Sequence, residues 1–223
     1  RLLTTVAPAV AKAAIESGAA APIITDWDAY ESKLRALMGY DNKMIRRFTE
    51  MAVQNPKRVV FAEANHANML SAAVTAYQEG ICFPILLGNT DYIHSVAEQN
   101  GLNLDGLEIV NLRSGEETER REKYAKILAQ KRQREGITLD EAREKMFDRN
   151  YFGMMMVEVG DADAFITGTY TKYTETIQIA KDVIGIREGH KHFGAMHIMN
   201  TKKGTYFLAD TLINRHPDSE TLV

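Results

Sequence analysis

From Arg58 onward, short apolar runs alternate with longer segments whose apolar residues recur every three or four positions. The runs Arg58–Glu63, Phe83–Leu87, Glu108–Asn111 and Ala164–Thr167 read as buried strands. The segments between them read as helices, because only one side of each is apolar. The first helix has Met69, Leu70, Ala73, Val74 and Tyr77 on one face and stops at Gly80. Asn89 or Asp91 opens a second, which runs to Asn100. A long charged helix is predicted over 116–135, with Tyr124, Ile127 and Leu128 as its buried stripe. Thr138-Leu-Asp-Glu141 is a capping box starting a helix that buries Leu139, Ala142, Met146 and Phe147, and the helical pattern continues over 151–159. Thr174–Ile184 is amphipathic, with Ile177, Ala180, Val183 and Ile184 inward. Strand–helix–strand units of this kind imply a mainly parallel sheet covered by helices on both faces, an α/β three-layer arrangement.

The pattern differs at both ends. Three helices come first: Leu2–Glu16 closing at Gly18, a second capped by Asp26 and stopped by Gly39, and a third capped by Asp41 and ended by Asn55-Pro56. Gly18–Pro22 reads as a linker. At the other end, Gly194–Asn200 and Thr205–Ala209 flank Thr201-Lys-Lys-Gly204, a hairpin signal that marks an antiparallel edge or the opening of a second subdomain. The expected division is 1–55, a helical tail plus linker; 56–186, the α/β subdomain; and 187–223, the start of a second subdomain. Arg1 is not an initiator methionine, and Pro217-Asp218-Ser219 announces a helix with only Glu220–Val223 to run in, so both ends are expected to be cuts. No internal repeat or low-complexity tract is visible.

Composition narrows the function classes. Apolar residues make up 45% and charged residues 26%, as in ordinary globular chains, and the net charge of −3 gives no field for nucleic acid or an anionic membrane. The single Cys82 excludes an internal disulfide, and no apolar run is long enough to span a bilayer, so a cytoplasmic address is expected. Neither G-x-G-x-x-G nor G-x-x-x-x-G-K-[ST] occurs. His190, His192 and His197 have no acidic or thiol partner close in sequence, and polar surface accounts for them better than a metal site. The basic residues of 116–135 interleave with acidic ones, as on a solvated helix face, and Met154-Met-Met156 reads as core.

The most informative stretch is the strand end Thr167-Gly168-Thr-Tyr-Thr171-Lys-Tyr-Thr174. In open parallel sheets, ligands bind beyond the carboxyl ends of the strands. A hydroxyl-rich turn entering a helix N-terminus offers N–H groups, hydroxyls and the positive end of a dipole to a phosphate or a thioester oxygen. The same spacing also suits threonines that only cap the next helix, and both readings stand. Asp210 and Asn214 follow another strand and either face the same crevice or serve local turn chemistry.

Together, Arg58-Val-Val-Phe-Ala-Glu63, Pro84-Ile-Leu-Leu-Gly88, Asn150-Tyr-Phe-Gly-Met-Met-Met156, Gly160-Asp-Ala-Asp163, Thr167-Gly168 and Phe207-Leu-Ala-Asp210 with Asn214 resemble the phosphate acetyl/butyryltransferase family over 58–223. Arg1-Leu-Leu-Thr-Thr-Val-Ala-Pro-Ala-Val-Ala-Lys-Ala-Ala, with Ser17-Gly18 and Pro22-Ile, resembles the tail of the catalytic part of bacterial malic enzymes, in which a phosphotransacetylase-like domain follows. The resemblance implies a regulatory, oligomer-forming domain that senses acetyl-CoA or a related acyl-CoA. It implies a homo-oligomer, with no nucleic acid or membrane partner. It also implies a parent that oxidatively decarboxylates malate with NAD(P) and a divalent metal, Mg or Mn, neither of them held by this chain. Thr167, Gly168, Thr171, Thr174, Asp210 and Asn214 are the ligand-contact residues so implied, and no catalytic residue falls within the chain. The alternatives are an active phosphate acyltransferase and a ligand-free oligomerisation module. Two departures stand out: Ala64, Asn65, His66 and Asn68 replace the family's Gly-Glu-Asp-x-Arg type of segment, and Thr167-Gly168 stands where Ser-Gly is common.

Overall fold

A computed structural model of the chain describes residues 2–37, 43–201, 204–210, 212–214 and 219. The chain divides into two compact units: Met51–His192, and Arg1–Glu50 together with Phe193–Val223.

The larger unit is the α/β body. Its strands are β1 (Lys57–Phe61), β2 (Cys82–Leu87), β3 (Glu108–Val110) and β4 (Ala164–Ile166), all parallel, in the order β3-β2-β1-β4. Val60 pairs with Ile85 and Phe165, and Leu87 with Val110. Successive strand residues point to opposite faces, so this short sheet feeds two separate cores. Val60, Ile85, Leu87 and Val110 pack on one face with residues of four helices, here numbered in chain order: α6 (Thr118–Arg132), α7 (Leu139–Lys145), α8 (Arg149–Glu158) and α9 (Tyr173–Val183). Val59, Phe61 and Leu86 pack on the other face with α4 (Ala67–Gln78) and α5 (Thr90–Gln99). The three-layer α/β arrangement expected from the alternating pattern is therefore present. Met154, Met155 and Met156 are buried in the first of these cores.

Local chemistry explains most element boundaries. Asn89 caps α5 by accepting from the Tyr92 N–H at 2.9 Å. At α7 the capping box is complete: Thr138 Oγ1 accepts from Glu141 N–H, and Glu141 accepts from Thr138 N–H. The charged helix is α6 flanked by single 3₁₀ turns at Gly115–Glu117 and Gln133–Glu135, and it closes at Gly136 with φ of 90°. Arg132 donates to the carbonyls of Lys181 and Asp182, each at 2.6 Å, placing a cation on the last turn of α9.

Three expectations need correction. The helical pattern after Thr138 is not continuous, because α7 ends at Lys145 and Asp148 starts α8 afresh, accepting from the N–H groups of Asn150 and Tyr151. Phe147 lies in that break and is 45% exposed, under the guanidinium of Arg121, not in the core. Ile184 lies just past α9 and is also exposed, while Val183 is fully buried.

A polar clasp joins the starts of β1 and β4. Arg58 N–H and Nε both donate to Asp163 Oδ2, at 2.9 and 3.2 Å, and Nη2 donates to Oδ1 at 3.0 Å. The same guanidinium donates to the carbonyls of Gly160 and Asp161 at 2.9 Å. The side-chain bond from Arg58, with its charge, holds the Asp163 carboxyl at about 2, below its ordinary 3.8. In an Arg58→Met variant, an NMR titration is expected to show the Asp163 carboxyl moving up towards 3.8, while the other Asp carboxyls stay in place.

The smaller unit contains α1 (Leu2–Glu16), α2 (Trp27–Leu37) and the antiparallel pair β5 (Met196–Thr201) and β6 (Gly204–Ala209), with Met196 opposite Ala209. Gly18 takes φ of 73° just beyond α1, a conformation that suits glycine. Asp26 accepts from Ala29 N–H at 2.9 Å at the start of α2. The helix α3 (Lys43–Gln54) carries the division between the units. The expected stop at Gly39, the cap at Asp41 and the helix start at Pro217-Asp218 lie outside the described residues.

Candidate functional site

The strand-end turn after β4 meets an anion supplied by the protein itself. Glu63, two residues beyond β1, is 4% exposed. Its carboxylate accepts from the N–H of Thr169 at 2.9 Å, the N–H of Tyr170 at 3.0 Å and the hydroxyl of Thr171 at 2.9 Å. Burial alone would raise its pKa, but the hydrogen bonds from Thr171, Tyr170 and Thr169 favour the charged form and bring it below its ordinary value. The donors expected to meet a phosphate or acyl oxygen are thus already engaged. His66 stacks on Tyr170, with ring centroids 3.5 Å apart and planes 19° from parallel, and closes the exit loop of β1 against this turn.

Each predicted residue has a definite place. Thr167 Oγ1 donates to Asn150 Oδ1 at 3.0 Å; Asn150 is buried on α8. Gly168 takes φ of 106°, where a side chain would be strained. Thr174 lies exposed in the first turn of α9, whose N-cap is Lys172 with no side-chain cap bond, so threonine capping of this helix is not the arrangement adopted. Asp210 and Asn214 belong to the other unit. Asp210 has φ of 50°, its Oδ1 accepts from Asn214 N–H at 3.2 Å and its Oδ2 from Asn214 Nδ2 at 2.6 Å, and that amide also donates to the Phe193 carbonyl. This is the local turn chemistry that short polar side chains provide.

Sequence reasoning gave Glu63, Asn150 and Arg149 no role. Their shared signal is position: each stands within a few residues of a strand end or a helix start, and only the fold brings those points together. A second feature of the same sheet edge is a cleft of about 710 Å³ beyond β2 and β3, bordered by Asn65, Gly88, Asn89, Asn111, Arg113 and Arg149. Arg149 Nη1 donates to Asn65 Oδ1 at 2.6 Å. No cluster of three or more His, Cys, Asp or Glu side chains able to hold a metal ion is found among the described residues. Among the same residues, no helix is long and apolar enough to cross a membrane.

The comparisons agree with this architecture. The family model described as phosphate acetyl/butaryl transferase matches residues 43–223. The NADP-dependent malic enzyme of Escherichia coli is 36% identical over 226 residues, covering 100% of this chain and 29% of that protein. The phosphate acetyltransferase of Thermoanaerobacterium thermosaccharolyticum is 33% identical over 186 residues, covering 80% of this chain and 55% of its own length. The chain thus spans less than a third of the malic enzyme and about half of the acetyltransferase it matches. In fold, it superposes on a phosphotransacetylase from Staphylococcus aureus with a TM-score of 0.69 at 23% identity, over 80% of this chain and 53% of that one. On the strength of the match over 43–223 and the shared three-layer body, this chain belongs to the phosphate acetyl/butaryl transferase family.

Proposed function

We propose that this chain is the acyltransferase-like regulatory and oligomer-forming part of a decarboxylating malate dehydrogenase that uses NAD(P), and that it senses acetyl-CoA. The observation that carries the reading lies in the first 42 residues. They fall outside the family model, yet they are included in the match to malic enzymes, which covers 100% of the chain against 80% for the acetyltransferase. The malate, nicotinamide and metal sites belong to other parts of such a parent, and no residue of this chain is assigned to them.

In this reading the residues that contact the acyl-CoA ligand are Thr167, Gly168, Thr171 and Thr174 of the α/β body, with Asp210 and Asn214 of the smaller unit as further candidates. The hydroxyl of Thr171 reaches a ligand only by sharing or leaving Glu63. Exposed Ile198, Met199, Phe207 and Leu208 on the β5–β6 pair support self-association.

The test uses the full-length protein that carries this chain. Acetyl-CoA is expected to lower malate turnover. In a variant carrying both Thr167→Ala and Asp210→Ala, that inhibition is expected to weaken by about tenfold or more in acetyl-CoA concentration, the size of effect that a lost pair of polar contacts produces. Unchanged inhibition removes the site assignment. Unchanged turnover and melting with acetyl-CoA present remove the sensing role altogether. A second reading, a working phosphate acyltransferase, is favoured by the family match and by the acetyltransferase relative. Formation of acetyl phosphate from acetyl-CoA and phosphate by the same protein would establish it.

A further inference from the structure

Four of the nine arginines of the α/β body pair with carboxylates among the described residues. Arg58 pairs with Asp163, Arg120 with Glu117, Arg132 with Glu135, and Arg143 with Glu122 and Asp140. The two arginines bordering the cleft beyond β2 and β3 have no such match among the described residues. Arg149 is half-buried, and the partner of its guanidinium is the neutral amide oxygen of Asn65. Arg113 is exposed, and its backbone N–H is held by Asn111 Oδ1 at 3.2 Å. A third cation, Arg121, lies over Phe147 at the rim and spends its donors on the Leu112 and Ser114 carbonyls and the Thr118 hydroxyl.

Two amide oxygens in the cleft are already engaged. Asn89 and Asn111 use their side-chain oxygens on the N–H groups of Tyr92 and Arg113, which fixes both side chains and leaves their amide NH₂ groups as donors. Asp148 is the one carboxylate among the lining residues, and its Oδ1 caps α8. Gly88 borders the cleft and packs against Ile93, where an added Cβ would stand 3.0 Å from Cδ1. The cleft therefore carries fixed donors and two guanidinium groups against one carboxylate, beyond the carboxyl ends of parallel strands, where such folds bind ligands.

We propose that this cleft binds a phosphate-bearing small molecule of nucleotide type, with Arg113 and Arg149 on the phosphate oxygens and the amides of Asn89 and Asn111 donating beside them. The volume of about 710 Å³ is too large for phosphate or pyrophosphate alone, and the side chains of Tyr92 and Phe147 give flat apolar surface for a ring. The site is separate from the turn held by Glu63, and the proposal does not depend on the acetyl-CoA reading. The nucleotide end of an acyl-CoA and a free nucleotide offer the same chemistry.

Titration calorimetry on the full chain with ADP, pyrophosphate and adenosine tests it. ADP and pyrophosphate are expected to bind saturably, more weakly as salt is raised, and adenosine not to bind. Arg113→Ala together with Arg149→Ala is expected to weaken ADP by about tenfold or more. Asn65→Asp, which gives Arg149 an internal carboxylate, is expected to weaken ADP with the far-UV circular dichroism unchanged. Acetyl-CoA that displaces ADP assigns the cleft to the acyl-CoA ligand; acetyl-CoA that leaves ADP in place makes it a nucleotide site of its own. Absence of saturable ADP binding to the unsubstituted chain overturns the proposal, as does ADP binding unchanged by both sets of substitutions.

Discussion

Replacing Phe152 with alanine is expected to destabilise the α/β body by about 3–5 kcal/mol, the range for removing a large buried aromatic side chain. Phe152 is fully buried on α8, and its ring meets that of Tyr124 on α6 with centroids 5.2 Å apart. The surrounding wall includes Tyr124, Leu128 and Met155, all fully buried. Its neighbour Gly153 shows how little room remains, since a Cβ there would fall 2.5 Å from Phe165 Cε2. Collapse into the vacated volume is therefore limited, which places the cost towards the upper part of that range. Urea denaturation followed by far-UV circular dichroism measures it as a fall in the midpoint with little change in slope. A loss below about 1 kcal/mol would mean that α8 is packed far more loosely than described.

The second large effect concerns Glu63. In Glu63→Ala, the N–H groups of Thr169 and Tyr170 and the hydroxyl of Thr171 lose one shared acceptor. Hydrogen bonds to a charged group contribute about 1.5–3 kcal/mol each before water replaces any of them. Because the turn is partly exposed and water recovers some of this, the expected net loss is about 2–4 kcal/mol. Glu63→Gln keeps the shape but puts an NH₂ group where one N–H donor needs an acceptor, so it too is expected to destabilise.

The pH dependence has a definite sign. The folded-state pKa of Glu63 lies below its ordinary value of 4.5, so the unfolded chain takes up the proton first as pH falls. The stabilisation is fully present above 4.5 and disappears as pH drops through the folded value. Unfolding free energies measured from about pH 6 to about pH 3 should fall for the unsubstituted chain, and this component should be missing from Glu63→Gln. A parallel pH profile in the two proteins would mean that Glu63 is not held as a carboxylate by this turn.

Element types in the α/β body were largely legible in the sequence because each rests on local patterning. Val59, Val60 and Phe61 form an apolar run too short for a helix, Thr138 and Glu141 spell a capping box, and Gly80 ends a helix with positive φ, as Gly18 does in the smaller unit. Such features need only neighbours within one or two turns. The break at Met146–Asp148 was not legible, because the helical period of the apolar residues runs straight across it. Only the buried positions on each side show that Asp148 opens a new helix and that Phe147 turns outward.

The candidate site divides along the same line. That a hydroxyl-rich turn follows β4 is a property of residues 167–174 alone, and so is the positive-φ position at Gly168. What those hydroxyls and N–H groups bind is not a local property. Glu63 is 106 residues from Thr169 in the chain, and only the parallel pairing of β1 with β4 brings its carboxylate under the turn. Arg149 and Asn65, 84 residues apart, meet for the same reason. Strand pairing and helix layers follow from the spacing of apolar side chains, which the sequence carries by itself. Which donors stay free for a ligand depends on where distant carboxylates and amides come to rest, and only the tertiary structure decided that.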